Sequence, residues 1–357
     1  MFDRGLLGEV VAIANIESSS VSFSIAKLKA SHHATILATR YAELPLEERS
    51  SGQHLFALKQ RLADVGKAAI AEYTASHRAA IRKAYAIMHA PWAVGTVVRG
   101  SAEFPKETHI SAAVIAECAT KTLAAHTEQE GFLDVQQLPI LLNGYRTASP
   151  EGKHAHSVEM AAVVSTVADD VRREISAIMQ ALTPVAHIFV HSGVRAVLGA
   201  LEAVRPRLGN AVCLHVSGEG TEIIVMHDGI ADRYAYVPEG LRTMLARAFP
   251  DMRPDDARAA VRHLGSKEGS DEKRAQTEGA LLKAESEMAR AFGEGFVGVS
   301  GELRLPNALV LIADTDIAPW LKTFFERIDF SQFTLTAQPF AVDVVAASEF
   351  GSVETGK

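Results

Sequence analysis

Cysteine is nearly absent: Cys118 and Cys213 are the only two in 357 residues, and they share no Cys-x-x-Cys spacing. That excludes a disulfide scaffold and a cysteine-based zinc site, and it fits buried thiols in a reducing compartment. No run of Lys and Arg occurs, and the net charge is −7 with an isoelectric point near 6.1. The electrostatic basis for a nucleic-acid partner is therefore missing. Long apolar runs are missing too. The opening MFDRGLLGEVVAIANIESSS is broken by Glu9 and Asn15, so it reads as neither a signal peptide nor a membrane span. No other stretch approaches the run of about 18 apolar residues a spanning helix needs. The expected location is the cytoplasm. What is present, 48% hydrophobic and 22% charged residues, is a globular composition, and the length suits two lobes.

An apolar, β-branched run at 10–14, the turn Glu17-Ser18-Ser19-Ser20 and a second run at 21–28 predict an opening β-hairpin. A third strand is expected at 35–43 and a helix over 52–76, where Leu55, Leu58, Leu62, Val65 and Ile70 recur at helical spacing. Strands at 83–89 and 95–101 flank Ala90-Pro91-Trp92. A helix is expected from His109, then strands at 136–142 and 157–165. A helix over 167–182, a strand at 186–191 and a helix to 204 follow. The pattern then restarts, with strands at 211–216, 221–227 and 230–237, the last two joined by Asp228-Gly229. Helical stretches at 241–249, 254–264 and 271–292, a strand at 308–313, a helix at 317–327 and a strand at 333–336 complete it. The repeat of a three-strand unit followed by helices predicts two lobes around a cleft, with both opening hairpins pointing into it.

Four places carry a family resemblance. Asn15-Ile16-Glu17-Ser18-Ser19-Ser20-Val21 stands where the actin-like ATPases have a first phosphate loop of Asp-Ile-Gly-Ser/Thr-Ser type. His215-Val216-Ser217-Gly218-Glu219-Gly220-Thr221 stands at the second loop, usually Asp-Ile-Gly-Gly-Gly-Thr-Thr-Asp. Ala313-Asp314 ends the strand that normally closes on Gly-Gly at the adenosine, and residues 84–165 resemble a small inserted SHS2-like α+β subdomain. The chain thus resembles the bacterial FtsA cell-division and PilM pilus-assembly families. The resemblance implies an α/β, ribonuclease H-like duplicated fold. The first lobe would comprise 1–83 and 166–206, the insert 84–165 and the second lobe 207–357. It also implies protein partners, in particular a bacterial inner-membrane protein, and self-association.

The chemistry implied by the family looks broken. Magnesium wants hard anionic oxygens, and phosphate wants unhindered backbone N–H donors. Asn15 and His215 replace the two loop aspartates, while Glu17, Ser217 and Glu219 replace glycines. A carboxylate about 4 Å from a phosphate charge costs about 1 kcal/mol in water and about 4 at a protein surface. Two of them could cancel much of a micromolar affinity of about 8 kcal/mol. Glu17, Ser18, Ser19, Ser217, Gly218, Glu219, Gly220 and Thr221, with Asn15, His215, Ala313 and Asp314, are thus read as a degenerate nucleotide site without cofactor.

Other constellations are weaker. His32-His33, His154-x-His156 and His187-x₃-His191 assemble no closed metal set by spacing alone. Ser217 lacks the Gly-x-Ser-x-Gly frame of a nucleophile elbow because position 215 is His. Trp92, with Val94, Thr96 and Val98 on the following strand, forms a candidate partner anchor or a core plug. The polar stretch 346–357 lacks the basic amphipathic character of a membrane-binding helix, which favours recruitment by a membrane partner over direct insertion. The expectation is a non-catalytic cytoplasmic scaffold for pilus or cell-division machinery, peripheral to the inner membrane. The alternative is an actin-like protein that binds and hydrolyses Mg-ATP and polymerises into membrane-associated filaments.

Overall fold

The computed structural model describes residues 8–28, 34–47, 50–147, 149–185, 187–265, 270–301 and 304–345. In chain order the first elements are β1 (Val10–Ile16), β2 (Ser20–Leu28), β3 (Ala34–Glu43), α1 (Ser51–Ser76) and β4 (Ile81–Met88). Then come β5 (Ala93–His109), α2 (Ala112–Thr127), β6 (Phe132–Gln137), β7 (Ile140–Leu142), β8 (Tyr145–Thr147) and β9 (His154–Val167). The chain continues through α3 (Asp169–Leu182), β10 (Ile188–Ser192) and α4 (Gly193–Val204). The remainder is β11 (Ala211–Val216), β12 (Thr221–His227), β13 (Ile230–Val237), α5 (Leu241–Ala248), α6 (Pro254–Gly265), α7 (Asp271–Ser300), β14 (Ala308–Ile312), α8 (Ala318–Arg327) and β15 (Ala341–Val344).

Two of the sheets share one topology. Their strand orders are β3-β2-β1-β4-β10 and β13-β12-β11-β14-β15, each an antiparallel meander extended by two strands parallel to its first. Short turns suffice for the meanders. In the second, Asp228 and Gly229 both take positive φ, the conformation that matches the twist of a tight hairpin. The parallel strands need helical crossovers, which α1, α5–α7 and α8 provide. Helix α1 starts cleanly because Ser50 and Gln53 form a reciprocal capping box. It packs Leu58 and Leu62 on Phe23 and Ile25 of the first sheet, with Ile175 and Met179 of α3 beside them. The second lobe is held by a phenylalanine cluster. Phe292 and Phe296 of α7 meet Phe325 and Phe330 with ring centroids 5.0 and 5.2 Å apart.

The third sheet is small and antiparallel, with β5, β6 and β7 on β9, β8 on β7, and α2 packed across it. A separate apolar cluster then joins all three parts. It combines Val163 of β9, Val194 and Leu198 of α4, and Ala211, Cys213 and Ile224 of the second sheet. Arg99 of β5 adds an ion pair to Asp232 of β13. The lobes are therefore cemented by buried apolar surface and not merely tethered.

Several expectations need correction. Residues 84–88 belong to the first sheet, because β4 runs parallel between β1 and β10; the third sheet begins at Ala93. His109 ends β5 opposite His154, and the helix starts at Ala112 behind Ser111, whose hydroxyl accepts from the Val114 N–H. The strand expected over 136–142 is interrupted at Pro139, which cannot donate to a ladder, and splits into β6 and β7. At 333–336 only Thr334 makes a bridge, to Leu305. The fifth strand of the second sheet is β15, beyond Pro339. Helix α7 runs eight residues past Phe292, to Ser300. His32, His33 and the C-terminal stretch 346–357 lie outside the described residues.

Candidate functional site: the facing hairpin turns

The β1–β2 turn brings Glu17, Ser18 and Ser19 to the end of the first sheet, and the β11–β12 turn brings Ser217, Gly218, Glu219 and Gly220 to the end of the second. The two turns touch. The Glu219 N–H donates to the Ser18 hydroxyl at 3.0 Å, the Ser18 hydroxyl donates to Ser217 at 3.0 Å, and Ser217 donates to the Gly220 carbonyl at 2.9 Å. The Ser18 and Ser217 hydroxyls each both donate and accept, so these two buried groups between the lobes are satisfied. Gly218 approaches so closely that an ideal Cβ there would lie 2.5 Å from the Ser19 Cβ. Each turn is also braced from behind. His54 of α1 donates to the Ser18 carbonyl at 2.6 Å and Trp92 to the Glu17 carbonyl at 3.2 Å. At the second turn the first N–H groups of α5, from Leu241 and Arg242, donate to the carbonyls of Ser217 and Gly218. The Glu219 carboxylate is clasped by Arg242, and the Thr221 hydroxyl donates to the Glu239 carbonyl.

Behind the seam lies a second polar cluster. Asn15, near the end of β1, accepts from His89 Nε2 at 2.9 Å, and its own amide N–H donates to Glu17. His215 Nδ1 donates to Glu222 Oε2 at 2.9 Å, and Tyr234 donates to Glu222 Oε1 at 2.9 Å. His89 Nδ1 stands 3.8 Å from Glu222 Oε2, and the two imidazole rings lie edge to face, 4.8 Å apart. Burial would raise the Glu222 carboxyl, but the His215 hydrogen bond and the nearby imidazoles outweigh it and hold the group down at about 2. For His215, burial opposes the charge, yet Glu222 and Glu17 carry it above the ordinary imidazole value. The histidine and the glutamate thus form a buried ion pair.

A cavity of about 450 Å³ opens beside these groups, lined among others by Asn15, Glu17, His89, His215, Ala313 and Asp314. Burial pushes the Asp314 carboxyl up to about 6; Arg258, 3.0 Å away, opposes this, while Glu17, Asp316 and Glu43 add to it. Of the loop residues expected from the sequence, Asn15, Glu17, His215, Ala313 and Asp314 line this cavity, while Ser18, Ser19, Ser217, Gly218, Glu219 and Gly220 lie on the two touching turns and Thr221 opens β12 beside them. The four residues expected to form a partner anchor or a core plug differ in exposure. Val98 is buried with Ala162 and Val164 in the core of the third sheet. Trp92 is half-buried beside His54, Val94 is half-buried, and Thr96 alone is exposed. Sequence reasoning missed His54, His89, Tyr234 and Arg242. His89 reaches the site through the pairing of β4 with β1, which sets Met88 opposite Ile16 and the next residue at the turn, and that pairing leaves no local signal in the sequence.

No protein-family model matches the chain, and no curated protein matches it in sequence. Solved structures do. A chain of the PilM–PilN type IV pilus biogenesis complex superposes with a TM-score of 0.56 at 11% identity, covering 98% of this chain and 91% of that one. The ethanolamine utilization protein EutJ from Carboxydothermus hydrogenoformans gives 0.46 at 10% identity over 94% and 84% of the two chains. A Bacteroides thetaiotaomicron protein with an actin-like ATPase fold gives 0.39 at 9% over 97% and 94%. The duplicated sheets and the first of these likenesses define the fold as that of the actin-like ATPases.

Proposed function

We propose that this chain is a non-catalytic actin-like scaffold that docks a protein partner belonging to membrane-embedded machinery, for pilus assembly or cell division. The observation that carries this reading is the seam of Glu219, Ser18, Ser217 and Gly220, which places the two phosphate-loop positions in direct hydrogen-bonding contact. In an actin-like ATPase that gap is where a nucleotide's phosphates would sit. The donor set argues the same way: Asn15 and His215 offer magnesium no anionic oxygen, and Glu17 and Asp314 line the cavity where an anion would enter. The residues present do not fit Mg-ATP. On this reading the two lobes and the third sheet form a rigid body, and a partner binds on the third sheet and the first lobe near Thr96. The PilM–PilN complex is itself an assembly of such a fold with a second protein. Among the described residues no helix is long and apolar enough to cross a membrane. On this reading membrane proximity comes through the partner.

The test is a thermal-unfolding scan with and without millimolar Mg-ATP. A ligand at 100 times its dissociation constant stabilises by about 2.7 kcal/mol. The expected result is an unchanged midpoint. A rise of several degrees, or measurable ATP hydrolysis, overturns the reading.

A further inference from the structure

We infer that His89, His215 and Glu222 form a binding site for a first-row transition-metal dication, with zinc the natural probe, which bridges the two lobes where the fold's relatives would use a nucleotide. All three side chains are buried, and one ligand atom from each lies within 4.8 Å of the others. Two of the separations, His215 Nδ1 to Glu222 Oε2 and His89 Nδ1 to Glu222 Oε2, are 2.9 and 3.8 Å. Tetrahedral zinc with bonds of about 2.0–2.2 Å holds its ligands about 3.3 Å apart, so small side-chain rotations bring these atoms to a common centre.

The observation that points to a ligand is His89 Nδ1. It is buried and has no hydrogen-bond partner. Its ring orientation is set by Asn15, whose amide oxygen can only accept and takes the Nε2–H, which turns Nδ1 toward Glu222. The amide is itself oriented by the Asn15 N–H donating to Glu17. A buried basic nitrogen without a donor is costly unless a proton or a metal occupies it. Gly193 lets the start of α4 pack directly on the imidazole and hold it in place, since an ideal Cβ there would come within 2.2 Å of Nδ1.

The surroundings match those of metal ligands elsewhere, where outer partners fix each ring and carboxylate. Asn15 holds His89 Nε2, Tyr234 holds Glu222 Oε1, and Glu17 stands 4.0 Å from His215 Nε2. Two imidazoles and a carboxylate suit zinc and its neighbours and disfavour magnesium or calcium, which prefer all-oxygen sets. Binding displaces the His215 Nδ1 proton, so one proton leaves as the metal enters. His89 follows β4 of the first sheet, while His215 and Glu222 lie on β11 and β12 of the second. The ion would therefore clamp the lobes together.

The chelator-stripped full-length chain is titrated with Co²⁺, whose visible absorption reports a tetrahedral site, and the Co²⁺ is then displaced with Zn²⁺. The expected result is one ion per chain. His89→Ala and Glu222→Gln should each abolish the band. His154→Ala, at the other close histidine pair, should leave it intact. Asn15→Leu, which removes the outer partner of His89 and leaves all three ligands in place, should weaken binding by about 10- to 100-fold. If the ligand variants fail to fold, X-ray absorption on the zinc-loaded wild-type chain decides: two imidazoles and oxygen are required. A wild-type chain that takes up no stoichiometric metal, a band that survives both ligand variants, or a shell of different composition overturns the inference. It stands apart from the docking reading, which Mg-ATP tests independently.

Discussion

If the seam between the hairpins holds the lobes closed, one methyl group at its tightest point should be costly. In Gly218→Ala the added Cβ would lie 2.5 Å from the Ser19 Cβ and 3.2 Å from its Cα, well inside contact distance. Neither backbone can easily retreat. The Ser19 carbonyl accepts from the Leu44 N–H at 2.7 Å, and the Gly218 carbonyl accepts from the Arg242 N–H at 2.9 Å. The φ of Gly218 lies outside the left-handed region, so the backbone tolerates alanine and the cost is steric. Overpacking of this kind typically costs about 1–3 kcal/mol. Urea unfolding of the wild type, Gly218→Ala, Ser19→Gly and the double variant measures it as a double-mutant cycle. Removing the Ser19 Cβ vacates the space the new methyl needs, so the double variant should recover most of the loss, with a coupling of about 1–3 kcal/mol. Additive effects, or an unchanged Gly218→Ala, would refute the contact between the turns.

Further outcomes follow from the same structure. Ser18→Ala leaves the Glu219 N–H and the Ser217 hydroxyl without their partner in a buried seam, and should lower stability by about 1–3 kcal/mol in denaturant unfolding. Phe296→Ala removes a fully buried ring from the centre of the second-lobe aromatic cluster and should cost about 3–5 kcal/mol by the same assay. Asp314 supplies a pH signature. Its native value is raised from 3.8 to about 6, so the folded chain holds this proton more tightly than the unfolded chain. Its contribution to stability is greatest below 3.8 and is lost as pH rises through about 6. Asp314→Asn cannot ionise, so its stability relative to wild type should improve across that interval in unfolding curves taken at stepped pH. A relative stability that falls or stays flat would contradict the burial of that carboxyl.

How much could be read in advance depended on the range of the interactions. Strands β1 to β3 and β11 to β13 were legible because hairpin meanders form between neighbours in sequence, and their apolar runs and turn residues are local signals. The membership of β4 was not, because a parallel strand is assigned by a distant partner, here β1 across the whole of α1. Strand β15 escaped for a similar reason. Its four residues carry little pattern of their own, and only pairing with β14 makes them a strand. Val98 illustrates the opposite error. An alternating strand shows which residues share a face, but not which face α2 will cover.

The candidate site divides along the same line. From the sequence alone it was determined that the two turns carry Asn15, Glu17, His215 and Glu219, because residue chemistry needs no coordinates; that these stand at aspartate and glycine positions is what the family resemblance implies. That the two turns bond to each other, and that His89 joins His215 and Glu222 across the lobes, was decided only by the tertiary structure. Those contacts join residues 199 and 201 positions apart in the chain for the serine pair and for Ser18 with Glu219. No local periodicity encodes a separation of that size. It is set by the packing of α4 and the third sheet against the second lobe, which brings the two sheets' ends into register.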